Sequence, residues 1–286
     1  MKWQSFIAMQ PKHAGTLYVV GTPIGNIGDL SQRARDVLAD VDLIAAEDTR
    51  RTGRLLSSIA LDKPIIAYHE HNESKRAEEL VARLGAGADV ALVSDAGMPL
   101  LSDPGFTLVN AARAEGFEVR SVPGPSAITA ALSVSGLATD RFAFEGFLPR
   151  REKQRAQYLQ RLDAEPRTMV FFEAVHRVTE TLRAMIEQFG TDRQGAIARE
   201  LTKLHEQTRV GTLGALEREL GDTIPLLGEF VIVVAGAERE VSADSRAIRR
   251  SFAILSRELG PDKAVAVCAE LAEVPRNVVY RLTRVK

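Results

Sequence analysis

The sequence predicts an α/β protein that consists of two α/β domains and a small C-terminal helical module. From Thr16 onward, short apolar and β-branched runs alternate with amphipathic stretches, which is typical of strands followed by helices. The chain has 286 residues, of which 45% are hydrophobic and 26% charged, so it can form two medium-sized domains with buried cores. Its single cysteine, Cys268, excludes an intrachain disulfide and a zinc site with several cysteines. Because no apolar run is as long as a membrane span, we expect a cytoplasmic protein without a membrane partner.

The first α/β domain is predicted over residues 16–136. Its apolar runs predict strands near 17–20, 43–46, 65–68, 90–93 and 119–122. The amphipathic stretches between them predict helices over 31–40, 50–57, 73–84, 106–115 and 126–135. Because these strands are apolar throughout, we expect a mostly parallel sheet with helices on both faces. We interpret residues 1–15 as a loose leader, since they lack the apolar stretch and cleavage site of a secretory signal.

The second α/β domain is predicted over residues 150–236, after a connection rich in glycine, proline and turn residues from Gly136 to Pro149. Strands are predicted near 169–172, 195–199, 207–210 and 230–235, and helices over 152–162, 175–189 and 213–220. The mixed character of these strands favours antiparallel pairs. A polar linker over 236–244 then leads to the C-terminal module, 245–286, with helices predicted over 246–259, 261–271 and 275–284.

The charge is distributed unevenly along the chain. The formal net charge of −1 argues against simple non-specific binding to nucleic acid. The C-terminal module, however, contains nine Lys or Arg residues and four Asp or Glu residues. A basic module of three short helices predicts a helix-turn-helix-like fold with a polyanionic partner, although a solvated helix face would have the same composition.

The loop after the first strand, Gly21–Asp29, argues against two common nucleotide sites. A dinucleotide fingerprint needs glycines at its first, third and sixth positions, which are here Gly21, Pro23 and Asn26. The Gly-Lys-Ser/Thr ending of an ATPase phosphate loop is also missing. The loop therefore disfavours NAD and ATP, and a plain strand-to-helix turn remains the alternative interpretation.

Two further loops predict a small-molecule site. The loop Ser94–Gly105 follows the fourth strand, and the loop Val122–Ala127 follows the fifth. Both are rich in proline and glycine, so they present backbone amides and carbonyls with little side-chain bulk. Because ligands of open α/β sheets bind beyond the carboxyl ends of the strands, we expect the two loops to border one site.

Five segments together resemble one family of enzymes: LYVVGTPIGNIGDLS, AAEDTRRTGRLL, SDAGMPLLSDPG, VPGPSA and ARELTKLHEQTRVG. They are similar to the tetrapyrrole-methylase superfamily of S-adenosylmethionine-dependent methyltransferases. The likeness is closest to its ribosomal RNA branch, which methylates the ribose 2′-oxygen of a cytidine in the decoding region of 16S ribosomal RNA. It extends from Thr16 to Lys286. It implies S-adenosylmethionine in a cleft between the two domains, no metal, a homodimer, and the small ribosomal subunit as partner.

The resemblance also implies a set of cofactor contacts, position by position. These residues are Pro23, Asp95, Gly97, Met98, Leu101, Ser126, Ala127, Phe172, Leu201 and Gly228. No metal or covalent intermediate is needed for the reaction, because an in-line methyl transfer depends mostly on positioning.

Two charged clusters that match family motifs supply candidates for the base and for RNA contacts. A ribose hydroxyl needs a base to accept its proton, for which we favour Lys203, with a lowered pKa or as a phosphate anchor, and Glu47 as its rival. Glu206 is a third catalytic candidate. The expected RNA contacts are Arg50, Arg199, Arg150 and Arg151, the last two at the start of a segment that could equally be a solvated helix face.

Two other functions remain open at this point. One is a sister methylase that acts on a corrin, a porphyrin or a diphthine precursor, which would leave the basic module without a purpose. The other is an RNA-binding assembly factor without enzymatic activity, which would bind ribosomes independently of S-adenosylmethionine.

Overall fold

Two five-stranded sheets form the centre of the part of the chain that the structure, a computed structural model, describes: residues 14–237 and 245–283. Residues 14–160 and 168–235 form one compact unit, which contains both sheets. Residues 161–167 belong to a second unit together with residues 236–237 and 245–283. The predicted leader and second linker lie largely outside the described residues.

The first sheet is parallel throughout, as the sequence predicts. Its strands are β1 (Thr16–Val20), β2 (Leu43–Ala46), β3 (Ile65–Ala67), β4 (Val90–Val93) and β5 (Glu118–Val122), in the order β3-β2-β4-β1-β5. Its helices are α1 (Gln32–Asp40), α2 (Thr49–Ser58), α3 (Glu73–Gly85), α4 (Phe106–Ala114) and α5 (Ala127–Val134). Alternate residues of β4 pack into two separate cores: Val90 and Leu92 on one face, Ala91 and Val93 on the other. Burial on both faces explains why the strand is apolar throughout.

The second sheet is mixed. Its strands are β6 (Phe142–Phe147), β7 (Thr168–Ala174), β8 (Gln194–Arg199), β9 (Gln207–Thr212) and β10 (Glu229–Val234), in the order β6-β7-β10-β8-β9. The helices of this half are α6 (Glu152–Arg161), α7 (Val178–Phe189) and α8 (Leu213–Glu219). All of its strand pairs are antiparallel except β6 and β7, which are parallel. The expected antiparallel pairs are thus confirmed.

Strand β6 corrects the interpretation of residues 136–149 as a plain connection. The glycine and proline content of the segment obscures a strand of six residues, five of which pair with residues of β7. Their register shifts between Phe144 and Gly146, and Gly146 has a φ of +65°. A bulge of this kind interrupts the two-residue alternation by which strands are predicted.

The C-terminal unit contains three helices: α9 (Ser245–Leu259), α10 (Pro261–Leu271) and α11 (Arg276–Thr283). They surround a small core of Ile248, Val265, Cys268, Ala269, Val274 and Val279. Cys268 is buried, and burial raises the pKa of its thiol. Among the described residues, every helix is too short or too polar to cross a bilayer.

A buried tyrosine and a glutamate hold the start of α4 in place. Gly105 precedes the helix and has no side chain with which to cap it. Glu73 Oε1 accepts hydrogen bonds from the backbone N–H groups of Gly105 (3.0 Å) and Thr107 (3.3 Å) and from the Tyr68 hydroxyl (3.0 Å). The Leu108 N–H donates to the same hydroxyl (3.1 Å). Burial raises the pKa of Glu73, but these hydrogen bonds outweigh it, so the net pKa lies below its usual value.

We expect Tyr68→Phe to lower the free energy of unfolding by about 1–3 kcal/mol, because the buried Leu108 N–H loses its acceptor. Urea unfolding monitored by circular dichroism measures the change. Tyr280→Phe, at an exposed position, is the control and should stay within about 0.5 kcal/mol of the wild type. Equal effects of the two substitutions would contradict this account.

Candidate functional site

Three loops meet at the carboxyl edge of the first sheet, where β1, β4 and β5 end. Thr22 and Gly97 exchange backbone hydrogen bonds of 2.9 and 3.1 Å, which join the first loop to the second. The Thr22 hydroxyl also donates to the Ser94 carbonyl (3.1 Å). The Gly21 N–H donates to the Val122 carbonyl (3.0 Å), which joins the first loop to the third. The loops are therefore fixed to one another by backbone contacts.

The first and third loops approach more closely than side chains would permit. A Cβ on Gly21 would lie 2.6 Å from the Gly124 Cα, and a Cβ on Gly124 would lie 2.8 Å from the Gly21 Cα. Both distances are shorter than any normal carbon–carbon contact. Glycine is thus required at both positions for the loops to meet.

The edge of the first sheet opens into a cavity of about 500 Å³, within the range of small-molecule sites. Elements of both sheets line it: the ends of β2, β7 and β10, and the second and third loops. Its residues are Ile24, Glu47, Arg51, Asp95, Ala96, Gly97, Met98, Leu101, Ser102, Asp103, Ser126, Ala127, Ile128, Phe147, Phe172, Glu173, Ala174, Val175, Gly228, Glu229, Phe230 and Val231. The second loop is strained beside it, since Leu100 and Ser102 have φ values of +74° and +68°.

The structure brings together eight of the ten residues expected to contact a cofactor. The cavity is lined by Asp95, Gly97, Met98, Leu101, Ser126, Ala127, Phe172 and Gly228. Pro23 does not line it, whereas the next residue, Ile24, does. Leu201 is buried instead in the core that includes Ile128 and Val231. The positions of these two side chains argue against direct contact with a ligand in this cavity.

Of the carboxylates that line the cavity, three have raised pKa values: Glu47, Asp95 and Asp103. Burial is the main cause that raises the pKa of both Glu47 and Asp95. Glu47 Oε2 accepts a hydrogen bond from the Asp95 N–H (3.2 Å), and Asp95 forms an ion pair with Arg51 (3.2 Å). Burial, followed by the negative charge of Glu47, raises the pKa of Asp103 to about 6. Carboxylates of this kind can exchange a proton near neutral pH.

Asp103 was missed as a candidate at the sequence level. It belongs to a loop that the sequence singles out, but a second aspartate in a turn next to proline and glycine is typical of turn chemistry. Its pairing with Glu47, 56 positions earlier in the sequence, depends on the order of strands in the sheet.

Lys203 does not have the lowered pKa expected of a base. Its Nζ lies 2.7 Å from Glu200 Oε1 and 3.1 Å from Glu229 Oε2. Burial lowers the pKa of Lys203, but the two carboxylates outweigh this effect and raise it above its usual value. A Cβ on Gly25 would collide with the Lys203 stem, so the side chain lies across the first loop. The lysine remains charged and joins this loop to the second sheet.

Glu206 and Arg199 stabilise the loop between β8 and β9. Glu206 Oε2 accepts a hydrogen bond from the Thr202 N–H (2.6 Å), in a turn where Thr202 has a φ of +65°. Arg199 is only 7% exposed, and its guanidinium donates to the carbonyls of Leu227 (2.6 Å) and His205 (3.0 Å). Neither side chain lines the cavity. Arg199 is therefore bound to the protein itself, which argues against its expected contact with RNA phosphates.

The other expected RNA contacts lie on the surface. The Arg50 side chain is 84% exposed and pairs with Asp48 (2.8 Å) at the start of α2. Arg150 and Arg151 are exposed and follow β6 directly. Across residues 14–237 and 245–283, no cluster of three or more His, Cys, Asp or Glu side chains is arranged to hold a metal ion.

We expect Gly124→Ala to lower the free energy of unfolding by about 1–3 kcal/mol, because its methyl group would overlap the Gly21 backbone. Urea unfolding measures the loss. The matched control is Gly53→Ala in α2, where there is room for a Cβ. Because alanine favours the helix more than glycine does, we expect this substitution to raise the free energy of unfolding by about 0.5–1 kcal/mol. A tolerated Gly124→Ala would show that the two loops can separate without cost.

The raised pKa of Asp103 predicts a pH-dependent stability. Because this pKa lies near 6 when folded, the folded protein binds the proton more tightly than the unfolded chain does. The contribution of Asp103 to the free energy of unfolding is complete below about pH 4, the pKa of an aspartate in the unfolded chain. It is lost as the pH rises through about 6, the pKa of Asp103 in the folded protein. Asp103→Asn should remove this loss. With solvent screening taken into account, we expect its free energy of unfolding to exceed that of the wild type by about 1 kcal/mol at pH 7.5, and we expect no such difference at pH 4.

Urea unfolding across this pH range tests the prediction for Asp103. Asp62→Asn, at an exposed position, is the matched control and should follow the wild-type profile. Parallel profiles for Asp103→Asn and the wild type would show that Asp103 titrates alike in the folded and unfolded chains.

Comparisons with known proteins agree with the fold. Residues 16–217 match the profile of the tetrapyrrole (corrin/porphyrin) methylases. Among solved structures, a diphthine synthase has a TM-score of 0.58 at 14% identity, covering 77% of this chain and 89% of its own. The uroporphyrin-III-C-methyltransferase of Thermus thermophilus has a TM-score of 0.54 at 21% identity, covering 77% and 94%. At these identities the likeness concerns the fold, and it confirms the expected tetrapyrrole-methylase type.

Curated relatives are much more similar. A protein named ribosomal RNA small subunit methyltransferase I from Xylella fastidiosa (strain Temecula1) is 49% identical over 267 residues, which cover 93% of this chain and 98% of its own. A protein of the same name from Escherichia coli O157:H7 is 45% identical over 273 residues, covering 93% and 94%. The chain thus belongs to the tetrapyrrole methylases and, within them, to the ribosomal RNA small subunit methyltransferase I family of methyltransferases.

Proposed function

We propose that this methyltransferase transfers a methyl group from S-adenosylmethionine to the ribose 2′-oxygen of a cytidine in 16S ribosomal RNA, within the small ribosomal subunit. One observation carries the proposal: a cavity bordered by three fixed loops contains carboxylates with raised pKa values. This cavity occurs in a chain that is similar over nearly its full length to proteins named for ribosomal RNA methylation.

The cavity suits the chemistry of S-adenosylmethionine. Ile128, Phe172 and Val231 provide apolar surface for an adenine ring. The carboxylates of Asp95 and Glu47 provide negative charge for a cation such as a sulfonium or an ammonium group. Gly97 lies where the second loop bonds to the first, so the ligand would meet backbone at this point. When bound, the cofactor supplies an electrophilic methyl group, and the protein positions the acceptor oxygen in line with it.

We assign Glu47 as the base that accepts the proton of the 2′-hydroxyl. This carboxylate lines the cavity, whereas Lys203 does not, and the Lys203 ammonium is paired with Glu200 and with Glu229. Burial raises the pKa of Glu47, which makes it a stronger base than an exposed glutamate. The negative charge of Glu47 in turn raises the pKa of Asp103, so the two carboxyl groups can share one proton.

Exposed arginines near the cavity would contact the RNA backbone. Arg150 and Arg151 follow Phe147, a cavity residue, by three and four positions. Arg50 follows Glu47 at the start of α2 and is largely exposed. Such contacts position an RNA without selecting its sequence. The basic C-terminal module adds charge of the same sign.

The homodimer is part of the same proposal. Leu204 and Leu227, two strongly exposed leucines, lie in the two loops that Arg199 joins. Exposed apolar side chains of this size in neighbouring loops favour an interface between proteins.

The proposal is tested with purified protein, methyl-labelled S-adenosylmethionine and small ribosomal subunits that lack the modification. Digestion of the RNA to nucleosides should place the label in 2′-O-methylcytidine. Label in another nucleoside would overturn the assigned acceptor. Unlabelled RNA together with intact cofactor binding would favour a corrinoid, porphyrin or protein acceptor, and failure to bind the cofactor would overturn the cofactor assignment.

We expect Glu47→Gln to lower kcat about 100-fold or more, because the amide keeps the shape of the side chain but cannot accept the proton. The Kd for S-adenosylmethionine should rise much less, because Asp95 still provides negative charge in the cavity. Labelling rates and calorimetric titration measure the two quantities. Glu78→Gln, on the exposed face of α3, is the matched control and should behave as the wild type. If Asp103→Asn abolished methylation while Glu47→Gln did not, the base would be Asp103.

A further inference from the structure

One aromatic side chain of the cavity is exposed to an unusual degree. Phe147 lines the cavity, yet 55% of its surface is open. Covering an apolar ring of this size lowers the free energy, so its exposure at a site indicates that a binding partner covers it. The other aromatic residues of the wall, Phe172 and Phe230, are less exposed.

The bulge in β6 directs Phe147 toward the cavity. Phe144 and Phe147 are three positions apart, so in a regular strand they would lie on opposite faces. The register shift after Phe144 places one extra residue in β6 and brings Phe147 opposite Phe172. Phe172 makes edge contacts with both rings, at centroid distances of 4.8 Å to Phe144 and 5.7 Å to Phe147. A bulge can thus redirect a side chain into a functional site.

The backbone that follows Phe147 is firmly held. Arg177 donates hydrogen bonds to the carbonyls of Leu148 (2.8 Å) and Pro149 (3.3 Å). The same guanidinium lies 3.6 Å from the buried carboxylate of Glu173, a residue of the cavity wall. The position of Phe147 is therefore fixed on both sides, by Phe172 and by Arg177, which is what a rigid stacking surface requires.

We propose that Phe147 stacks against the nucleobase of the nucleotide that is methylated, an inference that rests on the proposed function. Enzymes that modify RNA unstack the target nucleotide and hold its base against aromatic side chains. Phe147 has an open surface, lines the same cavity as the proposed base Glu47, and precedes the exposed Arg150 and Arg151 by three and four positions. The base of one nucleotide would thus have an aromatic partner in Phe147, its ribose a carboxylate in the same cavity, and its phosphate a cationic partner shortly after Phe147 in the chain.

The test compares Phe147→Ala, Phe147→Leu and Phe147→Trp in the labelling assay on small subunits, with calorimetric binding of S-adenosylmethionine to each. We expect Phe147→Ala to lower kcat/KM about 5- to 150-fold, the range for the loss of one base–aromatic contact, with the loss mainly in KM. The Kd for the cofactor should not change. Phe147→Trp should restore activity, whereas Phe147→Leu, which keeps apolar bulk without an aromatic face, should not.

Phe142→Ala is the matched control. Phe142 lies on the same strand and is 41% exposed, but it does not line the cavity, so its loss should leave kcat/KM unchanged. Full activity of Phe147→Leu or Phe147→Ala would overturn the stacking role. A weakened cofactor Kd in Phe147→Ala would assign the ring to the cofactor instead. Failure of the wild type to methylate the subunits would refute the proposed function, an outcome distinct from either of these.

Discussion

The backbone contact between Gly21 and Gly124 is the constraint on which the site depends. It brings the loops after β1 and β5 together, and the paired hydrogen bonds of Thr22 and Gly97 add the loop after β4. With the three loops fixed, the carboxyl edge of the sheet becomes one wall of the cavity. The loops are joined through backbone hydrogen bonds and a close backbone contact, which explains how this wall can be rigid.

The fold could be predicted from sequence wherever burial determines the pattern. The strands of the first sheet are apolar at each buried position except Thr16. Ser31 caps α1 by accepting a hydrogen bond from the Ala34 N–H, as a helix start with serine predicts. Strand β6 escaped prediction because its bulge at Glu145 and Gly146 breaks the alternation. Local periodicity is thus sufficient for regular elements and insufficient where a strand is deformed near a site.

The sequence predicts the position of the site better than it predicts the protonation of the residues in it. The loops that border the cavity are recognisable by their glycines and prolines, and most of the expected contact residues line it. The pKa of Lys203, by contrast, depends on Glu229, a residue 26 positions away that only the pairing of β8 with β10 brings near. Charge–charge distances between remote segments determine protonation, and a sequence does not reveal them.

Three of the carboxylates that line the cavity also bear on the end of the reaction cycle. Glu47, Asp95 and Asp103 favour a positively charged ligand, and the attraction between opposite charges is stronger in a partly buried cavity than in open water. A methyl donor that begins as a sulfonium and ends as a neutral thioether loses this attraction at the moment of transfer. If the proposed sulfonium donor is bound here, the same acidic wall would hold the product less tightly than the reactant, which would favour turnover.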